Sequence, residues 1–291
     1  MTRRTIAFIV WGVLLATSLA WAAFFDFGNP ANYDVIRIAP SPKGSASFVG
    51  KLTTADLTAA QTWTMPNASG TFLIAAYGGM YQYTGAAATA IATAAEYYAL
   101  TQMVTGLQQG FTFIAGVGGG PGAAISAVAD GPSAGVNITV SAPGAWVAGQ
   151  PVTLHGTTNY DGAYLITATN GSTTFVVTKA YVQTRTGVAR GATALKANAG
   201  SAGTYEVGFT GSVLAAASQT FHAEANNNTT AQDNVASKAQ TSANSFYRTL
   251  AGLGHFTIAD GDVVWMTIYN DSGASNLTVE MINVTVKRIG I

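Results

Sequence analysis

The segment that most constrains the fold is the last long one, Leu277 to Ile289, in which consecutive side chains belong to two alternating sets. A period of two is typical of a β-strand, whose successive side chains point to opposite faces of the sheet. The pattern predicts one face with Leu277, Val279, Met281, Asn283, Thr285 and Lys287 and another with Thr278, Glu280, Ile282, Val284, Val286 and Arg288. The chain is therefore expected to end in a long strand.

Shorter strand-like segments separated by glycines fill the chain beyond residue 75, and 33 of the 291 residues are glycine. They cover residues 78–90, 96–101, 110–115, 203–214, 219–225, 245–250, 255–259 and 263–270. The alanine-rich residues 86–100 are interrupted by threonine, and we interpret them as extended. Many short strands without a long amphipathic helix predict an all-β fold, a sandwich or jelly roll.

Charged residues make up only 9% of the chain, and thirteen basic side chains balance thirteen acidic ones. Soluble domains usually contain about 25% charged residues. We expect no nucleic-acid partner, because binding to phosphates requires a basic surface. The surface must consist largely of Thr, Ser, Asn, Gln, Gly and Ala, a composition common on extracellular and virion proteins.

The residues that usually carry chemistry are few. The absence of cysteine excludes disulfides and cysteine nucleophiles. His155, His222 and His255 are far apart, and only His222 has a carboxylate, Glu224, at a ligand-like spacing. Residues 131–135 match the G-x-S-x-G nucleophile elbow, but a strand follows where the elbow needs a helix, so we interpret them as a hairpin turn. We expect no catalytic residue, no metal site and no cofactor.

The N-terminus carries an export signal. Arg3 and Arg4 precede a mostly apolar, uncharged stretch, and Ala20 and Ala22 fit a signal-peptidase site with cleavage before Ala23. The stretch also has the roughly 20 apolar residues that a bilayer-spanning helix needs. Residues 1–22 are thus predicted to be a hydrophobic helix that is either a signal peptide or a membrane anchor.

Residues 23–77 are punctuated by proline and glycine and are predicted to form an extended stalk or linker. Within them, residues 57–73 read LTAAQTWTMPNASGTFL. This segment resembles one that is frequent in bacteriophage tail-fibre and other virion proteins, of the form L-T-A-x-x-T-x-T-x-P-x-x-S-G-T.

Five further pieces occur in a characteristic order: residues 78–81, 101–113, 200–209, 260–266 and 284–289. Their order resembles the TNF/C1q-like jelly roll found in structural proteins of the bacteriophage tail-fibre and virion type. The resemblance implies a head formed by residues 78–117 plus 191–291, with the first and last strands side by side. It also implies that the head is a homotrimer.

Residues 118–190 have a strand pattern of their own between glycine-rich borders, and we interpret them as a small inserted β-domain. The series from Gly149 to Tyr164 resembles a module common in phage structural proteins. Exposed aromatic side chains stack on sugars or fill interfaces. Trp146, Tyr160 and Tyr164 are therefore the candidate ligand contacts, and the block is expected to be removable without loss of stability.

Taken together, these features predict a non-enzymatic, trimeric virion or surface structural protein with a role in fibre building, decoration or attachment. Its expected partners are its own copies, other virion or fibre subunits, and a glycan or protein of a host surface. A secreted bacterial adhesin or carbohydrate-binding module is the alternative. A polysaccharide-active enzyme is a third hypothesis, which would require a carboxylate pair in one groove.

Overall fold

The computed structural model describes three short strands near the N-terminus and residues 76–83, 89–91, 96–241, 247–273 and 276–290. The chain divides into two compact units, Met1–Thr71 and Phe72–Ile291. The predicted signal or anchor, residues 1–22, lies outside the described residues, as does most of the predicted stalk.

The first unit contains β1 (Phe24–Phe27), β2 (Val35–Ala39) and β3 (Gly50–Thr53). They pair antiparallel in the order β1-β2-β3. Part of the predicted stalk is therefore a small meander sheet.

The second unit is built from strands alone in its described residues. Its strands are β4 (Tyr77–Gln82), β5 (Tyr98–Ala99), β6 (Val104–Thr105), β7 (Phe111–Ile114), β8 (Ala123–Asp130), β9 (Val136–Val140), β10 (Pro151–His155), β11 (Gly162–Thr169), β12 (Thr174–Val177), β13 (Gly187–Gly191), β14 (Ala194–Ala197), β15 (Gly203–Leu214), β16 (Thr220–Asn227), β17 (Thr230–Gln240), β18 (Tyr247–Ile258), β19 (Val263–Asn270) and β20 (Thr278–Gly290). The predicted all-β class is confirmed.

A six-stranded sheet and a five-stranded sheet share the main hydrophobic core. Sheet I has the order β17-β16-β19-β14-β7, with β5 added beside β19, and sheet II has the order β18-β15-β20-β4-β6. Inward side chains of both sheets meet in one cluster, for example Phe221 and Met266 from sheet I with Phe209 and Val284 from sheet II. The architecture is that of a β-sandwich.

The chain passes repeatedly between the two sheets. It leaves sheet I after β14, returns from β15 to β16, crosses again from β17 to β18, and alternates once more through β19 and β20. The last strand, β20, lies between β15 and the first strand of the unit, β4.

The six consecutive strands β8 to β13 form a closed antiparallel barrel in the order β10-β11-β12-β9-β8-β13. The barrel has its own core, which includes Val128, Ile138, Leu154 and Phe175. Val117 and Gly191, at its two ends, exchange backbone hydrogen bonds of 2.8 and 3.0 Å. The strands just outside it, β7 and β14, pair with each other in sheet I.

The barrel packs against the outer face of sheet I. A second apolar cluster lies there, with Trp265 and Ala194 of the sheet fully buried and Ala163 of the barrel packed against it. Two polar groups of the barrel also bond to this region. Thr153 Oγ1 accepts a hydrogen bond from the backbone N–H of Ala99 (3.2 Å), and the buried Gln150 amide donates to the carbonyl of Ala192 (3.1 Å).

One face assignment in the last strand is wrong. The alternation predicted that Val279 and Met281 share a face, but Val279 is buried and Met281 is half-exposed. The pairing with β15 shifts between Ser212 and Val213, which leaves Glu280 as an extra residue. Such a bulge adds one residue to the alternation of side chains between the two faces. Residues on one side of the bulge therefore point to the face opposite to the one predicted.

Candidate functional site

Two of the three predicted ligand contacts lie in the barrel core. Trp146 is 1% exposed and packs on Phe175 with 4.5 Å between ring centroids, and Tyr160 is completely buried. The Tyr160 hydroxyl donates to the carbonyl of Gln183 (2.8 Å) and accepts from the N–H of Val182 (2.8 Å), which ties down the loop before β13. The expectation that these rings are exposed is wrong, because they fill the barrel and hold its loop.

Tyr164, the third predicted contact, is half-buried and packs against the same barrel core. Burial raises the pKa of its hydroxyl, with a further contribution from the Asp161 carboxylate. The three aromatic residues thus act mainly in folding the barrel. None of them lines the cleft that the structure forms beside the barrel.

The G-x-S-x-G match, residues 131–135, is the hairpin turn that the sequence predicts. It joins the antiparallel strands β8 and β9, and Gly131 and Gly135 are linked by a backbone hydrogen bond of 3.0 Å. Ser133 and Ala134 both have a positive φ, of 54° and 57°, as a primed two-residue turn requires. Ser133 is therefore in a turn between two strands and lacks the helix of a nucleophile elbow.

A cleft of about 330 Å³ lies between the barrel and the outer face of sheet I. The barrel contributes His155, the last residue of β10, and Asp161, the residue immediately before β11. The opposite wall includes Tyr97, Asn226 and Thr267. The remaining residues that line the cleft are Glu96, Gly162, Ala163, Thr229 and Ala231.

His155 is a buried titratable group in the wall of the cleft, with 3% of its surface exposed. Its Nδ1 lies 3.2 Å from Glu96 Oε2, and its ring stacks on Tyr98 with 3.8 Å between centroids. Burial is the main reason that the pKa of His155 falls to about 4, and the positive charge of Arg190 adds to the effect. His155 is therefore neutral at physiological pH, with the proton on Nδ1 facing the carboxylate.

Arg190 is a buried cation beside this group, 1% exposed and 5.5 Å from the Tyr98 ring centroid. Its guanidinium donates to the carbonyl of Ala90 (2.9 Å) and to that of Gly120. Burial lowers the pKa of Arg190 to about 10, so it stays charged. Backbone carbonyls and an aromatic face take the place of a carboxylate partner.

Asp161 is fixed by the turn that contains it. Its Oδ1 accepts hydrogen bonds from both the N–H (2.7 Å) and the hydroxyl (2.6 Å) of Thr157. These bonds leave Oδ2 without a hydrogen bond among the described residues. One carboxylate oxygen thus shapes the turn while the other remains available for a ligand.

Next to the cleft, titratable side chains continue along the outer face of sheet I. Glu224 lies close to Tyr97 and to Asp233 of the neighbouring strand. Burial and the adjacent Asp233 carboxylate raise the pKa of Glu224. Tyr97 also contacts Tyr269 edge-on, with 4.6 Å between ring centroids.

The titratable side chains on the outer face of sheet I end at His222, which is ion-paired. The Tyr269 hydroxyl contacts Nδ1 of His222, whose Nε2 lies 3.0 Å from Asp271 Oδ2. Lys238 Nζ reaches the same carboxylate at 2.7 Å and is the main reason that the pKa of Asp271 is lowered. Burial lowers the pKa of His222.

Each histidine lies beside a carboxylate that the sequence does not indicate. The pairs are His155 with Glu96, His222 with Asp271, and His255 with Glu206. Their partners come from other strands or loops, so no local spacing could reveal them. His222 and Glu224 are the one pair whose spacing suggested a shared ligand. In the structure His222 pairs with Asp271, and Glu224 lies beside Asp233.

No group of three or more His, Asp or Glu side chains suited to a metal occurs among the described residues. In the same part of the chain, no helix has the length and apolar character needed to span a bilayer. No protein-family model matches the chain, and neither does any curated protein.

Proposed function

We propose that the chain is the subunit of a non-enzymatic, homotrimeric structural protein of a virion or cell surface, with a role in fibre building, decoration or attachment. In this proposal the two sheets are a TNF-like jelly roll, and residues 118–190 are a small β-domain inserted into it. The strand orders β17-β16-β19-β14 and β18-β15-β20-β4 support the jelly roll, since from β14 to β20 the chain changes sheet at every step except the β16–β17 hairpin. The paired ends of the barrel, Val117 and Gly191, support the insertion.

The observation that carries the trimer is the outer face of sheet II, called the bare face below. Its central cross-strand rows are Leu253, Gly208, Thr285 and Gly79; Ala251, Thr210, Asn283 and Tyr81; and Thr249, Ser212 and Met281. None of these residues is charged. Leu253 is 65% exposed and Met281 is 49% exposed.

A sheet face with exposed apolar side chains and no central charge is suited to burial against another protein surface. Gly208 and Gly79 leave the face hollow beside their larger neighbours. A hollow of about 370 Å³ on this face is lined by residues that include Gly208, Ala251 and Thr285. An adjoining hollow of about 700 Å³ is lined mostly by apolar groups, among them Tyr77, Tyr81 and Leu107. Side chains of a second copy would fill these hollows.

Charges at one end of the face would orient the copies. Glu206, His255 and Lys287 form a cross-strand row there, and His255 Nε2 lies 3.5 Å from Glu206 Oε2. Opposite charges at the rim of an interface favour one register between subunits. A closed ring of three copies would bury one bare face per subunit around a common axis.

The alternative function, a secreted adhesin or carbohydrate-binding module, is favoured by the cleft beside the barrel, where polar groups and an exposed tyrosine converge. Both functions use the same export segment, residues 1–22, and the same architecture. Neighbouring genes for capsid and tail proteins would support the virion role, whereas neighbouring secretion genes would support the adhesin.

The experiment that tests the trimer compares two threonine-to-glutamate variants of the full-length protein by light scattering. Thr285→Glu places a charge in the middle of the bare face, and the control Thr230→Glu changes an exposed threonine at the start of β17 in sheet I. We expect trimers for the wild type and the control and monomers for Thr285→Glu, because three like charges would be brought together in a dry interface. A monomeric wild type, or a trimeric Thr285→Glu, would overturn the proposal.

A further inference from the structure

The cleft between the barrel and sheet I has the chemistry of a site for an uncharged, hydroxyl-rich ligand. Its volume, about 330 Å³, lies within the range of about 300 to 1,000 Å³ usual for small-molecule sites. It is lined by hydrogen-bonding side chains of Glu96, Asp161, Asn226 and Thr267, and among the described residues no lysine or arginine lines it.

His155 is a buried wall of the cleft and is paired with one of the cleft's carboxylates. Its ring is 97% buried, and its Nδ1 lies 3.2 Å from Glu96 Oε2. Its Nε2 is sealed from solvent and therefore from a ligand in the cleft. The acceptor offered to a ligand hydroxyl is the Asp161 carboxylate, which lines the cleft and whose Oδ1 is held by Thr157.

The charges around the cleft favour a ligand that donates hydrogen bonds. The carboxylates of Glu96 and Asp161 line the cleft and repel an anionic ligand. The buried cation Arg190, near His155 but outside the lining, offsets part of this negative charge. A neutral ligand with several hydroxyls suits this wall, because carboxylate oxygens accept hydrogen bonds.

Tyr97 supplies an aromatic surface on one wall. It is 40% exposed, and its edge contact with Tyr269 supports the ring from one side. An aromatic ring beside a few convergent polar groups matches a sugar ring, which has an apolar C–H face and a rim of hydroxyls.

We infer that the cleft between the barrel and sheet I binds a neutral saccharide unit, with Tyr97 against its ring face and Asp161 accepting hydrogen bonds from its hydroxyls. The inference deepens the attachment role within the proposed function and rests on it. It relocates recognition from Trp146, Tyr160 and Tyr164 to the side of the barrel that faces sheet I.

The test begins with the full-length protein on an array of immobilised neutral, amino and anionic saccharides. A free disaccharide matching the strongest neutral signal is then titrated by calorimetry. We expect binding to neutral saccharides only. Preference for amino or anionic saccharides would overturn the inference, and so would the absence of saccharide binding by a protein that still assembles as a trimer.

Two matched pairs of variants locate the site. Ala231→Trp fills the cleft from an exposed position on β17, and Ala236→Trp adds the same ring at another exposed position of that strand outside the cleft. Tyr97→Ala removes the proposed stacking surface, and Tyr181→Ala removes a tyrosine of nearly equal exposure, 39%, elsewhere.

We expect Ala231→Trp to abolish binding, Tyr97→Ala to weaken it about tenfold or more, and both controls to bind within about twofold of the wild type. Unchanged binding by Ala231→Trp would place recognition elsewhere. Light scattering on the same samples separates the two ideas: trimers without saccharide binding reject the cleft, and monomers that bind the saccharide reject the trimer.

Discussion

The two outer faces of the sandwich are built from the same kind of strand but are completed differently. Trp265 on sheet I is fully buried beneath the barrel region, whereas Leu253 on sheet II is 65% exposed. Sheet I also carries the network from Glu224 to Lys238, and the central rows of the bare face are uncharged. One face is completed within the chain, and the other has the character of a surface that another copy completes.

The largest expected effect on stability separates these two faces. Trp265→Ala is expected to reduce the free energy of unfolding by about 3–5 kcal/mol, because it leaves a cavity between sheet I and the barrel. Leu253→Ala, on the bare face, should cost less than about 0.5 kcal/mol. Both are measured by denaturant unfolding in the Thr285→Glu background, so that assembly does not contribute. Equal losses would mean that the barrel does not cover sheet I in solution.

The second expected effect is a loss of stability in acid caused by the covered face. The native pKa of His155 is about 4, against 6.5 for an ordinary histidine, so below pH 6.5 the unfolded chain binds a proton that the native chain does not. Stability is therefore lost as the pH falls from about 6.5 to 4, by roughly 3 kcal/mol in total.

His155→Phe keeps a ring on Tyr98 and should flatten the dependence of unfolding free energy on pH over this interval. Glu96, Asp161 and Arg190 remain in place. His255→Phe, which changes a histidine that is 55% exposed, is the control and should retain the wild-type slope. The idea of a buried neutral His155 fails if both variants keep that slope.

The smallest expected effect concerns the part of sheet I beyond the barrel. Lys238 is 57% exposed where it pairs with Asp271 at 2.7 Å. Lys238→Gln should lower the unfolding free energy by less than about 1 kcal/mol, because exposed ion pairs contribute little in water. Thermal unfolding at low and high salt measures this, and a larger loss would show that the network on sheet I depends on this pair.

The sequence predicted the strands whose side chains alternate clearly and missed those that do not. The segments 203–214 and 263–270 match β15 and β19, because bulky apolar residues occupy most of their inward positions. The strand β17 was not predicted, since Val235 is its only fully buried residue. The strand β8 consists largely of small residues, which carry little signal.

The candidate site was less predictable than the fold. Trp146 and Tyr160 attract attention as aromatic residues in a polar block, but composition does not distinguish a core ring from an exposed one. Glu96 and His155 are 59 residues apart and meet only because the barrel packs on sheet I. The same packing changes one expectation: removal of residues 118–190 would uncover Trp265 and should therefore destabilise the sandwich.

Oxidation of Met281 tests the central claim, that the bare face is an interface, more directly than any other measurement. Met281 is 49% exposed in the single chain, and Met266 is fully buried. Methionine oxidation by peroxide follows exposure, and mass spectrometry of peptides gives the rate at each site. We predict that Met281 of the wild type oxidises nearly as slowly as Met266, and that Thr285→Glu releases it to the fast rate of an exposed methionine. Fast oxidation of Met281 in the wild type, equal to that in Thr285→Glu, would contradict the account.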